Sequence, residues 1–140
     1  MLNTAPHEIP AVFISGGKDG RRIEFAADAA AYAELARLAA QNRSIRLPLP
    51  ADPDTALPRP FAFLQLICAD AGGGLLSVDI SDSGDTLCLT GDADAFAKLV
   101  AALEYFFDNG GQTGGHFHLD ADALGSLLHP AAPALVFVCL

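Results

Sequence analysis

Basic residues are scarce in this chain. Its 140 residues include 8 Lys and Arg against 17 Asp and Glu, which gives a formal net charge of −9. Nucleic acids and anionic membrane surfaces are polyanions, and they attract proteins rich in Lys and Arg. The composition therefore predicts that neither nucleic acid nor a membrane is a partner of this protein.

Long apolar runs and paired cysteines are also lacking. No window approaches the roughly 18 uninterrupted apolar residues that a membrane-spanning helix needs, and the first residues do not have the pattern of a signal peptide. The cysteines are odd in number and lie in apolar strand patterns: Cys68, Cys88 and Cys139. This pattern favours free buried thiols in a reducing compartment over a disulfide or metal role. We therefore expect a cytoplasmic protein.

Catalytic signatures are lacking as well. The glycine runs 72–74 and 110–115 are not followed by the Gly-Lys-Ser/Thr segment of a phosphate-binding loop. The serines have no Gly-x-Ser-x-Gly context, and no basic residue flanks Cys68 or Cys139. The sequence therefore predicts a protein that is not an enzyme and that has no cofactor.

What the chain does have is enough apolar residues for a core. Hydrophobic residues make up 51% and charged residues 18% of the sequence, which is typical of a folded globular domain. The length suits one domain that covers residues 1–140.

The apolar spacing predicts the order β-β-α-β-β twice, in pseudo-repeats at about 11–70 and 75–140. The first copy has strands at 11–15, 22–26, 45–49 and 61–68, with a helix capped by Asp28. The second has strands at 75–81, 86–90, 115–120 and 135–140, with a helix from Asp92 to about Asp108. Residues 50–60 contain four prolines and predict a loop.

The two copies align residue by residue. A shift of 64 places Phe25 on Leu89, Asp28 on Asp92 and Tyr32 on Phe96. After the helix, a shift of 70 places Leu47 on Phe117 and Leu49 on Leu119, and a shift of 71 places Cys68 on Cys139. The agreement of cap, helix face and strand order indicates an internal duplication.

The resulting prediction is an α+β fold with antiparallel sheet(s) and two helices packed on one side. Each unit is too small to bury its own sheet, so the units should share a core. Pro48 places its strand at a sheet edge. Strands 61–68 and 135–140 are apolar on both faces, which predicts central or interface strands. Their second face would meet the other half or a second chain in a homodimer.

A histidine pair is the most distinctive polar feature of the second copy. His116 and His118 lie two apart on a predicted strand, so they share a face with Asp120. Such a group is a partial metal site, because imidazole binds zinc, copper, iron and nickel. The alternative is that they are polar positions of a half-exposed strand. A small metal-binding module or metal-dependent enzyme centred on these residues remains an open alternative.

The segments Thr90–Phe96, Gly115–Asp120 and Pro133–Phe137 together resemble immunity proteins of bacterial polymorphic toxin systems, specifically family 32. The resemblance covers about residues 86–140. It implies a cytoplasmic, non-catalytic protein that binds and neutralises a cognate toxin domain.

The charge distribution is compatible with that function. Residues 71–140 hold nine acids and only Lys98, a net charge of −8, whereas residues 1–70 hold eight acids and seven bases. An acidic surface steers a protein onto a basic partner. The sequence thus predicts a binding surface in the second copy that includes His116, His118, Asp120 and Asp122. A structural or assembly protein that forms a homodimer through a sheet face is a further alternative.

Overall fold

The computed structural model describes residues 12–16, 22–50, 59–70, 73–109, 116–119, 128 and 133–139. Within these residues the chain forms two helices and nine strands. The first copy contains β1 (Phe13–Gly16), β2 (Arg22–Ala27), α1 (Ala29–Ala39), β3 (Ile45–Pro48), β4 (Arg59–Pro60) and β5 (Phe63–Cys68). The second contains β6 (Ser77–Ile80), β7 (Thr86–Gly91), α2 (Ala93–Asn109), β8 (His116–Leu119) and β9 (Ala134–Cys139).

Both helices form where their amphipathic patterns predict them. The buried residues of α1 include Tyr32, Leu35 and Ala39, which recur at the spacing of one helical face. The corresponding positions of α2, Phe96, Leu99 and Leu103, are also buried. The α+β prediction is therefore confirmed, and both helices belong to the core that covers one face of each sheet.

The strands form two sheets, and each sheet takes strands from both copies. Sheet 1 has the order β4-β1-β2-β9-β8, and sheet 2 has the order β3-β5-β7-β6. The sheets are mostly antiparallel, but their central pairs, β2 with β9 and β5 with β7, are parallel. The prediction of antiparallel strands is wrong for these two pairs. Their strands are far apart in sequence, so no hairpin turn dictates their direction.

The strand pairing has the same register in equivalent segments of the two copies. Arg22 pairs with Ala134 in sheet 1, and Thr86 pairs with Phe63 in sheet 2. Adding 64 to Arg22 gives Thr86, and adding 71 to Phe63 gives Ala134, so the two parallel pairs have the same register. In sheet 1 the hairpin β1–β2 of the first copy thus lies beside β8 and β9 of the second. In sheet 2 the hairpin β6–β7 of the second copy lies beside β3 and β5 of the first. Each half completes the sheet of its counterpart.

One part of the sequence alignment is out of register. Ile45 pairs with Leu66, and Phe117 pairs with Phe137, the residue 71 positions after Leu66. Ile45 therefore corresponds to Phe117, and Leu47 to Leu119, which is a shift of 72 where the sequence alignment has 70. The error is two residues, which leaves the alternation of apolar and polar positions unchanged. The shifts of 70 and 72 therefore differ only in which residues of β5 and β9 pair with β3 and β8.

The predicted loop at residues 50–60 contains a short strand. Arg59 and Pro60 of β4 pair with Gly16 and Ser15 of β1 at the edge of sheet 1. Proline is tolerated there because an edge strand has one side without ladder bonds. The same reasoning correctly places Pro48 in β3, which is an edge strand of sheet 2.

The central strands differ in how fully they are covered. In β9 three successive residues, Leu135, Val136 and Phe137, are at most 2% exposed, so both faces of this strand are covered. In β5 Leu64 and Leu66 are buried, whereas Phe63 is only half-buried. The prediction that both strands are central is confirmed. The prediction that both faces are covered holds for β9 and is only partly true of β5.

The helix caps of the two copies give a matched pair of stability predictions. The Asp28 carboxylate accepts from the Ala31 amide at 2.8 Å, and the Asp92 carboxylate accepts from the Ala95 amide at 2.9 Å. Asp92 also accepts from the buried Gly74 amide at 3.1 Å. We expect Asp28→Ala to lower the free energy of unfolding by about 1 kcal/mol. We expect Asp92→Ala to lower it by about 2 kcal/mol, because it also leaves the Gly74 amide without this acceptor.

Urea denaturation of the two variants measures this difference. Asp92→Asn is the control, because asparagine is also a good cap residue and keeps one side-chain oxygen in place. Equal losses for Asp28→Ala and Asp92→Ala would show that the bond to Gly74 contributes nothing.

Candidate binding surface

The predicted histidine pair lies on β8, an edge strand of sheet 1. His116 pairs with Val138, and His118 pairs with Val136. The His118 side chain is exposed. Asp120 and Asp122, the two other predicted binding residues, lie outside the described residues. The structure therefore places the two histidines at one sheet edge and leaves the predicted group of four untested.

The metal alternative also stays a prediction. Within the described parts of the chain, no group of three or more His, Cys, Asp or Glu side chains is arranged to hold a metal ion. The predicted ligand set includes Asp120, which those parts do not contain.

The prediction of free buried thiols is only partly true of the two cysteines whose side chains the structure describes. Cys68 and Cys88 are free and half-buried. Burial raises the pKa of the Cys88 thiol, the carboxylate of Asp79 adds to the increase, and Arg46 opposes it. A thiol with a raised pKa is protonated at neutral pH, so Cys88 is a poor nucleophile and a poor thiolate ligand.

The strongest concentration of acidic side chains in the described second copy is the hairpin of β6, β7 and their turn. We call residues 77–91 the acidic hairpin. It contains Asp79, Asp82 and Asp85 and no Lys or Arg. Asp79 and Asp82 are exposed, and Asp85 is half-buried. Three carboxylates therefore occur within seven residues on one rigid element of sheet 2.

The turn of the acidic hairpin is held by side-chain hydrogen bonds onto one carboxylate oxygen. The hydroxyl groups of Ser83, Thr86 and Ser81 donate to Asp85 Oδ1 at 2.7, 2.9 and 3.2 Å. Gly84 has a φ of 79°, a value that glycine adopts without steric cost, and its amide donates to the Ser81 carbonyl at 2.8 Å. These bonds fix the shape of the turn before any partner binds.

The same hydrogen bonds keep Asp85 ionised. The hydroxyl groups of Ser83, Thr86 and Ser81 and the nearby charge of Arg46 lower the pKa of Asp85, while partial burial opposes them. Hydrogen bonds to a carboxylate stabilise its charged form. The hairpin therefore presents negative charge throughout the physiological pH range.

Lys98, the only basic residue of 71–140, lies on α2. Its ammonium group donates to the Gly74 carbonyl at 3.3 Å. The same helix also carries the exposed residues Asp94 and Glu104. The exposed charge of the described second copy is therefore predominantly negative, and Lys98 is hydrogen-bonded beside the start of α2.

Sequence reasoning assigned the elements of the acidic hairpin but not its candidate role. His-x-His is a recognisable pattern, whereas aspartates in a turn are common and do not by themselves indicate a binding site. A usable signal was present: residues 71–97 contain five aspartates and no basic residue. What the sequence could not supply was the hydrogen bonding that fixes Asp85 and the turn.

No helix within the described residues is long and apolar enough to cross a membrane. Comparison of the chain with protein-family models, with curated proteins and with solved structures gives no match. The functional proposal therefore rests on the surface chemistry of the chain and on the sequence resemblance.

Proposed function

We propose that this chain is a non-catalytic binding protein that captures a basic protein partner through the acidic surface of its second copy. The observation that carries the proposal is the acidic hairpin, in which a fixed turn displays ionised carboxylates with no basic residue among them. A preformed loop loses little conformational entropy on binding, so more of the interaction energy remains available for affinity.

The type of partner follows from the charge. Exposed carboxylates attract Lys and Arg side chains and speed up association with a basic surface. The resemblance over residues 86–140 suggests a toxin domain as that partner, and the chain would then act as its immunity protein. Binding in this proposal is stoichiometric and requires no metal.

The test begins with a search of the neighbouring reading frames for a toxin-like domain, which then serves as the binding partner; absence of such a reading frame would count against a toxin as the partner. We expect wild-type protein to form a one-to-one complex and to restore growth of cells that express the domain. The association rate should fall by about 10-fold or more between about 50 and about 500 mM salt, because salt screens exposed charges. Asp82→Lys should slow association at low salt by about 10-fold.

The matched control is Asp70→Lys, which makes the same charge change at an exposed residue of the first copy. We expect it to change the association rate much less than Asp82→Lys does. Equal effects of the two variants would mean that only total charge matters. Full binding by Asp82→Lys at low salt would contradict the proposed role of the hairpin.

The same experiment separates the proposal from the metal-binding alternative. If binding or growth rescue is lost in a chelator and restored by a transition metal, the metal-binding function at His116, His118 and Asp120 replaces the proposal. Loss of binding on His118→Ala without any effect of a chelator would move the binding surface from the acidic hairpin to β8.

A further inference from the structure

The face of sheet 2 that points away from the core carries a row of polar and apolar side chains. Arg46 on β3 pairs with Gln65 on β5, Gln65 with Cys88 on β7, and Cys88 with Asp79 on β6. Residues paired in this way lie side by side on one face. We call this face the outer face of sheet 2.

The outer face of sheet 2 is incompletely covered. Phe63, Gln65, Ile67, Cys88 and Thr90 are all half-buried on the two central strands. By the shift of 71, Val136 of sheet 1 corresponds to Gln65, and Val136 is only 2% exposed. The duplicated scaffold therefore covers the centre of one outer face and leaves the other partly open to solvent. The outer face of sheet 2 combines an aromatic ring, aliphatic groups and neutral polar groups, as protein interfaces do.

The row is also self-complementary in charge. Arg46 lies on one edge strand and Asp79 on the other, and both side chains are exposed. Three strand spacings separate them, about 14 Å. The Arg46 guanidinium lies over the Phe63 ring, 4.1 Å from its centroid, which helps to position the charge. The charges of this row cancel, whereas the whole chain carries −9.

We propose that a second copy of this chain packs against the outer face of sheet 2. The two sheets lie face to face about a two-fold axis that runs parallel to the strands between β5 and β7. This rotation exchanges the two edges, so Arg46 of each copy lies opposite Asp79 of the other. An axis perpendicular to the strands would place like charges opposite each other. Charge complementarity thus selects one symmetric arrangement, with contacts that occur twice.

The size of the face sets the expected strength. Four strands of four to six residues give a face of at most about 19 by 20 Å, which is small for a permanent dimer. We therefore expect a reversible dimer with a dissociation constant in the micromolar range. This inference does not depend on the proposed function, because it concerns two copies of the chain without any other partner.

Charge exchange tests the arrangement. The wild-type chain should sediment at twice its 14.5 kDa mass at high concentration and dissociate on dilution. Arg46→Glu and Asp79→Arg should each raise the dissociation constant by at least about 10-fold, because each places two like-charge pairs in the interface. The double variant, Arg46→Glu with Asp79→Arg, should restore the dimer. The two residues are about 14 Å apart within one copy, so rescue reports pairing between copies.

Arg22→Glu and Asp94→Arg are the matched controls, since they make the same charge changes at exposed positions on β2 and α2. They should leave the dimer intact. If circular dichroism shows that one of the charge reversals unfolds the chain, the neutral variant Arg46→Gln or Asp79→Asn is used in its place. The neutral variants should weaken the dimer less than the reversals do.

Three results would overturn the inference: a wild-type monomer at several hundred micromolar, a dimer unaffected by either reversal, or a double variant that remains monomeric. Asp82→Lys should leave the dimer unchanged, so failure of the dimer and failure of the proposed partner binding can be told apart.

Discussion

Phe137→Ala should lower the free energy of unfolding by about 3–5 kcal/mol. Phe137 is 1% exposed on β9, a central strand of sheet 1. Its ring stacks on the Phe25 ring with centroids 4.6 Å apart and makes a T-shaped contact with the Tyr32 ring, with centroids 6.1 Å apart. These three residues come from β2, α1 and β9, so the loss falls where the two copies join. Domains of this size are stable by about 5–15 kcal/mol in total.

Chemical denaturation of Phe137→Ala and of Val138→Ala gives the comparison. Val138 is the next residue of the same strand, is only half-buried and lies on the opposite face. We expect its truncation to cost about 1 kcal/mol. Tyr32→Phe isolates the contribution of the hydroxyl group, whose single proton is shared between the Phe25 and Val138 carbonyls at 2.9 and 2.7 Å. We expect this substitution to lower the free energy of unfolding by about 1 kcal/mol. A loss below about 2 kcal/mol for Phe137→Ala would show that the aromatic cluster is not central to stability.

Gly91→Val should also destabilise the fold strongly, by about 3 kcal/mol. A Cβ atom at Gly91 would lie 2.7 Å from the Ala95 Cβ and 3.2 Å from Leu76 Cδ1. Ala95 cannot move away easily, because its amide is bonded to the Asp92 cap in the first turn of α2. The added side chain would therefore push β7 and α2 apart.

Gly16→Ala is the matched control, because Gly16 is also the last residue of a strand. A Cβ atom there would meet the Phe61 ring at 3.5 Å, an ordinary contact. We expect its stability to change by less than about 1 kcal/mol, with a gain possible from the reduced freedom of the unfolded chain. Thermal and urea denaturation measure both variants. If Gly91→Val were as stable as Gly16→Ala, β7 and α2 would be free to separate.

Each residue discussed above can be compared with the residue at the equivalent position of the other copy. Tyr32 corresponds to Phe96, Asp28 to Asp92 and Ala27 to Gly91, by the shift of 64. The cap residue is aspartate in both copies, whereas the other two pairs have different side chains at equivalent positions. Alanine is fully buried at position 27, whereas Gly91 has no room for a Cβ atom. The two copies therefore differ in how the strand and the helix meet.

Much of the architecture is determined by the sequence alone. The caps at Asp28 and Asp92, the helix faces around Tyr32 and Phe96, and the edge position of Pro48 all follow from local chemistry. Capping needs a side-chain oxygen at one position, helix amphipathicity needs a 3.6-residue period, and proline lacks an amide hydrogen. Each of these signals acts over a few residues, so a linear sequence contains it fully.

Only the tertiary structure decides how the two copies combine. It pairs β2 with β9 and β5 with β7 in parallel, fixes the shift of 72 for β8, and leaves the outer face of sheet 2 less covered than that of sheet 1. These outcomes depend on contacts between residues at least 15 positions apart, and a slip of two residues preserves every alternating pattern. The sequence determines the elements and their repetition, and long-range packing determines which surfaces are left for a partner.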